Sequence, residues 1–176
     1  MTDDRIELYH DEWFDVVQSR HGRFFASGPA VAVVAVDDDS AYWLVEEPAP
    51  AAGTRAIVAV TGAIEAGENV IEAADRELRE ELDRAADRIV HIGTIRPWVK
   101  YLDVVVDVCV ALGLRPDDSG AVGDEAVPPE PVRFTPKQFD EAVAAGRVVD
   151  GTTIAAVAIV RRWLDDRPVS DRSISD

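Results

Sequence analysis

Apolar runs and alternating segments divide the chain into strands on both sides of one central helix. Residues 30–36 (AVAVVAV) are continuously apolar, which predicts a buried strand. The polar turn 37–40 should join it to a hairpin partner over Ala41–Val45. Short extended patterns precede this pair at Ile6–Gln18 and Gly22–Ala26. Later strands are predicted at Arg55–Val60, Arg88–Ile95, Leu102–Leu114 and Val132–Phe134.

Three segments have the composition and apolar spacing of helices. Residues 70–86 contain no Gly or Pro and are rich in Ala, Leu, Glu and Arg. Asn69 and Glu72 form a capping-box pattern at the start of this segment. A second helix is predicted from Pro136 to Ala145, and a third over Thr152–Asp165.

This order of elements predicts an α+β fold, an α/β/α sandwich with a mixed central sheet. Residues 46–54 and 116–131 are rich in Pro, Ala, Gly or acids, so we expect loops there. With 176 residues, of which 47% are hydrophobic, the chain can bury one core. We therefore predict a single domain over 1–165 and a disordered polar tail over 166–176.

Composition narrows the function classes. A formal net charge of −16 argues against sequence-independent binding to nucleic acid or anionic membranes, because both need clustered Lys and Arg. No run of about 18 uncharged apolar residues could span a bilayer, and the polar N-terminus is unlike a signal peptide. Cys109 is the single cysteine, so the chain cannot form an internal disulfide, and we expect a cytoplasmic protein.

The segment from Gly62 to Arg84 carries the candidate chemistry. It contains Gly62, five residues, Glu68, seven residues and then the run Arg76-Glu77-Leu78-Arg79-Glu80-Glu81. On a helix, Glu77 lies one turn or less from Glu80 and Glu81, so the carboxylates repel one another. A divalent cation would turn this repulsion into attraction, and oxygen ligands suit Mg²⁺ or Mn²⁺. The alternative is a solvated acidic face.

This segment resembles the Nudix box, G-x5-E-x7-R-E-U-x-E-E-x-G-U, in which U is a bulky apolar residue. Its glycine, its acids, its arginine and its first apolar position all match. Two final positions differ, since Asp83 stands in place of Gly and Arg84 in place of an aliphatic residue. That Gly normally ends the helix in a left-handed cap, which Asp adopts at a cost. The departure leaves the helix end open and allows it to run to Ala86.

The resemblance implies a hydrolase that cleaves a nucleoside diphosphate derivative with a divalent metal. It implies metal ligands at Glu77, Glu80, Glu81, Glu68 and the carbonyl of Thr61. Arg76 can orient the box carboxylates, and with Glu77 and Glu81 it belongs to the catalytic set. In this family a loop acid near the metals assists catalysis, and the segment 123–127 makes Glu125 the candidate to activate water.

The chain from Tyr9 to Leu164 is similar to the ADP-ribose pyrophosphatase branch of the family. The matches are Tyr9 with Trp13, Arg96-Pro97-Trp98, the segment 123–127 and the segment 145–154. This similarity implies hydrolysis of ADP-ribose to AMP and ribose 5-phosphate. It also implies a homodimer in which the arm 1–27 swaps between subunits. Residues predicted to bind the small-molecule nucleotide substrate are Trp13, Arg55, Arg96, Pro97, Trp98, Lys100 and Tyr101.

Several alternatives stay open. Trp13 could be a core aromatic, Pro97 a strand-ending turn and Glu125 a solvated acid. The branch's Gln-x-Arg motif is missing from residues 44–48. Tyr101 lies near the position of a tyrosine that marks diadenosine polyphosphate hydrolases. Such polyphosphates or nucleoside triphosphates are therefore alternative substrates, and a nucleotide-sensing module without catalysis is an alternative of another class.

Overall fold

A computed structural model describes residues 5–11, 13–121, 123 and 127–166 of the chain. The strands are β1 (Ile6–His10), β2 (Asp15–Ser19), β3 (Gly22–Ala26), β4 (Ala30–Val36), β5 (Tyr42–Ala49), β6 (Thr54–Val58), β7 (Val60–Ala63), β8 (Arg84–Ile95), β9 (Leu102–Asp103), β10 (Val106–Pro116) and β11 (Glu130–Phe134). The helices are α1 (Val70–Leu82), α2 (Pro136–Ala144) and α3 (Gly151–Asp165), and a short 3₁₀ turn spans Pro50–Ala52.

Two sheets form the framework. The larger has seven strands, with β11-β5-β4-β10-β8 in order, β6 paired with β5, and β7 paired with β4. It is mixed, because β10 runs parallel to β4 while the other pairs are antiparallel. The smaller sheet has four strands in the order β1-β2-β3-β9. The mixed sheet and its flanking helices confirm the predicted α/β/α sandwich.

The apolar run of β4 lies between two layers of helix. Side chains alternate along a strand, so Val31, Val33 and Ala35 face one side, while Ala32, Val34 and Val36 face the other. The first set packs with Leu78 and Leu82 of α1. The second packs with buried side chains of α2 and α3, among them Phe139, Val157 and Val160. Each buried Val or Leu contributes about 1.5–3 kcal/mol, so this strand fixes α1 against the sheet.

Strand ends differ from the prediction where a partner strand extends the pairing. The predicted hairpin is confirmed, because Ala35 pairs with Trp43. Most of the predicted loop 46–54 is wrong, since β5 continues to Ala49 opposite β6. Likewise β8 begins at Arg84 rather than Arg88, because it pairs with the end of β10. The predicted strand Leu102–Leu114 is interrupted, with β9 joining the smaller sheet and β10 the larger.

Helix ends follow their capping residues. Asn69 accepts from the backbone N–H groups of Ile71 and Glu72, and the Glu72 side chain accepts from Asn69 N–H, which completes the capping box. At the other end Asp83 adopts the left-handed conformation, with φ 53° and ψ 42°. The extension of the helix to Ala86 is therefore wrong, because Asp83 reverses the chain directly into β8.

The remaining predictions concern segments around the core. The predicted loop 116–131 is shortened at both ends, by β10 to Pro116 and by β11 from Glu130. The predicted tail 166–176 lies outside the described residues except for Asp166. No helix among the described residues is long and apolar enough to cross a membrane.

Candidate active site

Gly62 makes room for the carboxylate of Glu77. Gly62 lies in β7 next to Thr61, and α1 packs over this strand. A Cβ at position 62 would lie 1.7 Å from Glu77 Oε1 and 2.0 Å from its carboxyl carbon. Any other residue would displace the Glu77 side chain, since real Cβ contacts are never this short. The first glycine of the motif is therefore required by packing.

Arg76 gathers three of the motif's carboxylates around one guanidinium. Its Nε and Nη2 donate to Glu68 at 2.8 and 3.0 Å, and Nη1 donates to Glu77 at 2.6 Å and to Glu80 at 3.2 Å. Nη2 also donates to the carbonyl of Ala63 at 2.9 Å. The hydrogen bond with Glu68 contributes most to raising the pKa of Arg76, and Arg76 in turn lowers the pKa of Glu68. Arg76 thus hydrogen-bonds three acids of the motif at once.

The box acids differ in exposure. Glu77 and Glu81 are each 6% exposed, whereas the side chain of Glu80 is 22% exposed. The alternative of a solvated acidic face therefore does not fit Glu77 and Glu81. Burying ionised carboxylates is costly unless cations or hydrogen bonds offset it. Glu77 and Glu81 offer buried carboxylate oxygens close to the strand that contains Thr61. Oxygen ligands of this kind fit a hard divalent cation.

A second group of possible metal ligands lies on the N-terminal hairpin. Within the described residues, Glu7, His10 and Asp15 are the group whose ligand atoms all lie within 4.8 Å of one another. His10 Nδ1 lies 2.6 Å from Asp15 Oδ1, and this hydrogen bond raises the pKa of His10. The group is separate from the box, where Glu68, Glu77 and Glu80 accept hydrogen bonds from Arg76.

The turn from Arg96 to Tyr101 presents aromatic and cationic side chains together. Trp98 is 69% exposed and has a positive φ of 47°, which is strained for a residue with a Cβ. Its ring meets that of Tyr101 edge-on, with centroids 4.8 Å apart, and Lys100 Nζ lies 5.2 Å from the Tyr101 centroid. Arg96 Nη1 donates to Asp103 at 3.1 Å. Pro97 lies between Arg96 and Trp98, within the turn.

One row of paired residues connects this turn to the box. Ile95 of β8 pairs with Val106, Val106 with Ala30, and Ala30 with Ala63. Arg96 follows Ile95 directly, and the carbonyl of Ala63 accepts from Arg76. Three strand spacings separate the two ends of the row, or about 14 Å. The acidic cluster and the aromatic turn therefore lie at the same end of the larger sheet.

The structure places other predicted residues elsewhere. Trp13 is 72% exposed in the bend between β1 and β2, so its interpretation as a core aromatic is wrong. Arg55 lies in β6, where it donates to the carbonyl of Glu46 and lies 3.3 Å from Glu130 Oε1. Its contacts are thus with β5 and β11 rather than with the turn. Glu125 lies outside the described residues.

Two long-range ion pairs near the site could not be predicted from sequence spacing. Arg79 donates to Asp117, whose side chain is 1% exposed, and to Asp75 at 2.9 Å. Arg5 donates to Asp103 at 2.9 Å, so Asp103 joins Arg5 and Arg96. Arg79 and Asp117 are 38 positions apart, and Arg5 and Asp103 are 98 apart, so local spacing cannot reveal them.

Comparison with known proteins places the chain in a family. The family model of the NUDIX domain matches residues 26–130. The ADP compounds hydrolase NudE of Escherichia coli (strain K12) is 28% identical over 135 residues, which cover 77% of this chain and 71% of that protein. A crystal structure of an ADP compounds hydrolase superposes with a TM-score of 0.77 over 92% of each chain, at 24% identity, and shares the fold.

These comparisons agree with the geometry of the acidic cluster. The matched region includes the whole segment from Gly62 to Arg84, and both similar proteins are hydrolases of ADP compounds. The resemblance stated from the sequence is therefore confirmed. The chain belongs to the NUDIX domain family and is a Nudix hydrolase.

Proposed function

We propose that the chain hydrolyses the pyrophosphate bond of ADP-ribose to AMP and ribose 5-phosphate, using Mg²⁺ or Mn²⁺. The main observation is the buried carboxylate of Glu77, held between the backbone of Gly62 and the guanidinium of Arg76. The curated relative, a hydrolase of ADP compounds, supports the substrate class. ADP-ribose is the member of that class favoured by the resemblance of the N-terminal arm and of the turn at Pro97.

The metal would be held by Glu77, Glu80 and Glu81, with Glu68 and the carbonyl of Thr61 nearby. When bound, such a cation neutralises phosphate charge and lowers the pKa of a water molecule. The residues of this chain then contribute by positioning. Arg76 keeps Glu68, Glu77 and Glu80 aimed at one region, and α1, which carries Glu77 and Glu80, packs against the sheet.

The substrate's nucleoside end would contact the turn at the same end of the sheet. The exposed rings of Trp98 and Tyr101 offer faces for an adenine base. Arg96 and Lys100 supply positive charge for phosphates on a chain whose net charge is −16. Glu125, which falls between β10 and β11 in the sequence, is proposed to activate the attacking water.

Product identity tests this function. The wild-type protein is incubated with Mg²⁺ and ADP-ribose, diadenosine polyphosphates or nucleoside triphosphates, and products are separated by chromatography. We expect AMP and ribose 5-phosphate from ADP-ribose, with the highest kcat/KM of the panel. ATP released from a diadenosine polyphosphate, or a monophosphate with pyrophosphate, as the preferred reaction would contradict the substrate. Micromolar nucleotide binding without any hydrolysis would instead indicate a sensing module.

We also propose that the protein is a homodimer and acts in the cytoplasm. The arm carries a row of exposed apolar side chains, which supports association of two copies. The single cysteine, Cys109, is buried, and burial raises its pKa to about 12, so it is an inert core residue. This agrees with a reducing compartment.

A further inference from the structure

We propose that Arg79 and Asp117 form a clamp that positions Glu80 and Glu81 by holding the last turn of α1. "The clamp" refers below to these two residues. The inference deepens the proposed function, since it assumes that Glu80 and Glu81 bind the metal. It assigns positioning roles to two residues that touch neither the metal nor the substrate.

The need for a clamp comes from Asp83. This residue ends α1 in the left-handed conformation, where L residues with a Cβ are strained and glycine is not. Family members place glycine there, and this chain does not. The helix therefore ends in an unfavourable conformation only two residues after Glu81. Such a cap persists when surrounding contacts hold it in place.

The clamp closes a ring of contacts around that cap. Asp83 N–H donates to the carbonyl of Arg79 at 3.1 Å, and Asp117 N–H donates to the carbonyl of Asp83 at 3.2 Å. The side chain of Arg79 completes the ring by donating to the Asp117 carboxylate. That carboxylate is almost fully buried, and it also accepts from the hydroxyl of Ser119. The end of β10 is thereby fixed to the last turn of α1.

The first half of the site has other anchors. Glu77 is fixed by its fit against Gly62 and by Arg76 at 2.6 Å, whereas Glu80 accepts from Arg76 at the longer distance of 3.2 Å. Glu80 and Glu81 lie one turn further, between Arg79 and Asp83, where each residue of unwinding rotates a side chain by about 100°. Loosening the cap should therefore disturb Glu80 and Glu81 more than Glu77.

The test measures metal affinity in variants that break the clamp. Mn²⁺ binding is measured by calorimetry on full-length wild type, Arg79→Gln and Asp117→Asn, with circular dichroism as a check on folding. We expect the Kd for Mn²⁺ to rise about tenfold in both variants. The Mg²⁺ concentration for half-maximal turnover should rise in parallel, while kcat at saturating Mg²⁺ changes less than threefold.

Arg115, close to Asp117 in the chain, offers a matched control for the loss of one positive charge. Arg115 forms an exposed ion pair with Asp87, at 3.3 Å, and is two residues from Asp117. Arg115→Gln removes the same charge as Arg79→Gln without touching the cap. It should leave the Kd for Mn²⁺ unchanged.

Restoring the family glycine distinguishes positioning from general stability. In the Asp83→Gly background the cap needs no external support, so Arg79→Gln should raise the Kd less than threefold. If the ion pair between Arg79 and Asp117 only stabilised the fold, Arg79→Gln would have the same effect on the Kd for Mn²⁺ in the wild-type and Asp83→Gly backgrounds. Equal effects there, or wild-type affinity in Arg79→Gln and Asp117→Asn, would overturn the clamp alone. Absence of Mn²⁺ uptake by the wild type would overturn the proposed function, and the clamp's metal role with it.

Discussion

The missing side chain at position 62 decides where Glu77, one of the two buried acids of the site, places its carboxylate. Glu77 occupies the volume that a Cβ of residue 62 would fill. Arg76 also holds this carboxylate by a hydrogen bond of 2.6 Å. The position of the Glu77 carboxylate is thus set by the backbone of Gly62 and the guanidinium of Arg76. Substitutions at either residue should lower activity.

Gly62→Ala should damage the site strongly. The new methyl group would force the Glu77 carboxylate out of its position, and displacement by about 1 Å at a catalytic centre can cost about 100-fold in rate. We expect kcat/KM for the preferred substrate to fall at least about 100-fold, measured by steady-state kinetics.

Gly28→Ala is the matched control, because a Cβ there meets nothing within 4 Å. Its kinetics should stay at the wild-type level. Equal activity of Gly62→Ala and Gly28→Ala would contradict the role of Gly62.

Residues of the box were predictable because they lie in one continuous segment with fixed spacing. The burial of these residues and their hydrogen-bond partners could not be predicted from the spacing. Arg96 was predicted from its neighbours, but its contact with Asp103 depends on how β8 and β9 turn back on each other. Asp117, the long-range partner of Arg79, follows the end of β10, 38 positions away, and only the folded chain reveals the pair.

The start of α3 shows how a capping motif also anchors a helix to the sheet. Asp150 is the N-cap and accepts from Thr153 N–H and from the Thr153 hydroxyl, both at 2.7 Å. The hydroxyl oxygen of Thr153 accepts in turn from the buried N–H of Ala59, at 2.9 Å. This chain of bonds ties α3 to the connection between β6 and β7, which leads to Gly62.

Thr153→Val should destabilise the fold without changing the chemistry. The substitution keeps the volume but leaves Ala59 N–H buried with no acceptor, which costs about 1–3 kcal/mol. The midpoint of thermal unfolding should fall by about 3–10 °C, while kcat at 25 °C stays within twofold. Thr152→Val, one residue earlier, is the control, and an equal Tm in the two variants would contradict the anchoring.

Strand and helix types were predictable from periodicity, whereas their ends were set by pairing. β5 and β8 continue past the predicted limits because β6 and β10 offer partners. The end of α1 was left open because Asp is a poor left-handed residue in isolation. In the fold, the direct return into β8 and the contact with Asp117 hold Asp83 there.

At the scale of the whole molecule, the N-terminal hairpins stand out by their exposed apolar side chains. Exposed apolar side chains concentrate on the N-terminal hairpins and include Ile6, Leu8, Tyr9, Trp13, Phe14 and Phe25. Three of the rings touch in series, with centroid distances of 6.0 Å for Tyr9–Phe14 and 5.5 Å for Phe14–Phe25. The sandwich was predictable from the order of elements, whereas the homodimer is a proposal that rests on the resemblance of the arm and on these exposed side chains.

If the proposed homodimer forms through these side chains, Leu8→Lys should convert it to a monomer, as measured by analytical ultracentrifugation. Leu8 is 49% exposed on β1, an edge strand of the smaller sheet. Added positive charge lowers the repulsion between two chains of net charge −16, so dissociation would report lost apolar contact. Val149→Lys, at a position 67% exposed near α3, should leave the dimer intact. A monomeric wild-type protein would contradict the proposal.

Metal uptake by the buried acids can be measured by calorimetry with Mg²⁺ and Mn²⁺ in the presence of a nucleotide. The wild type should bind at millimolar metal or below, and Glu77→Gln should lose at least about tenfold in affinity and about 100-fold in turnover. Glu141→Gln, an exposed acid on α2, should behave as wild type. No uptake by the wild type, or unchanged uptake and turnover in Glu77→Gln, would contradict the assignment of Glu77 and its neighbours as the metal site.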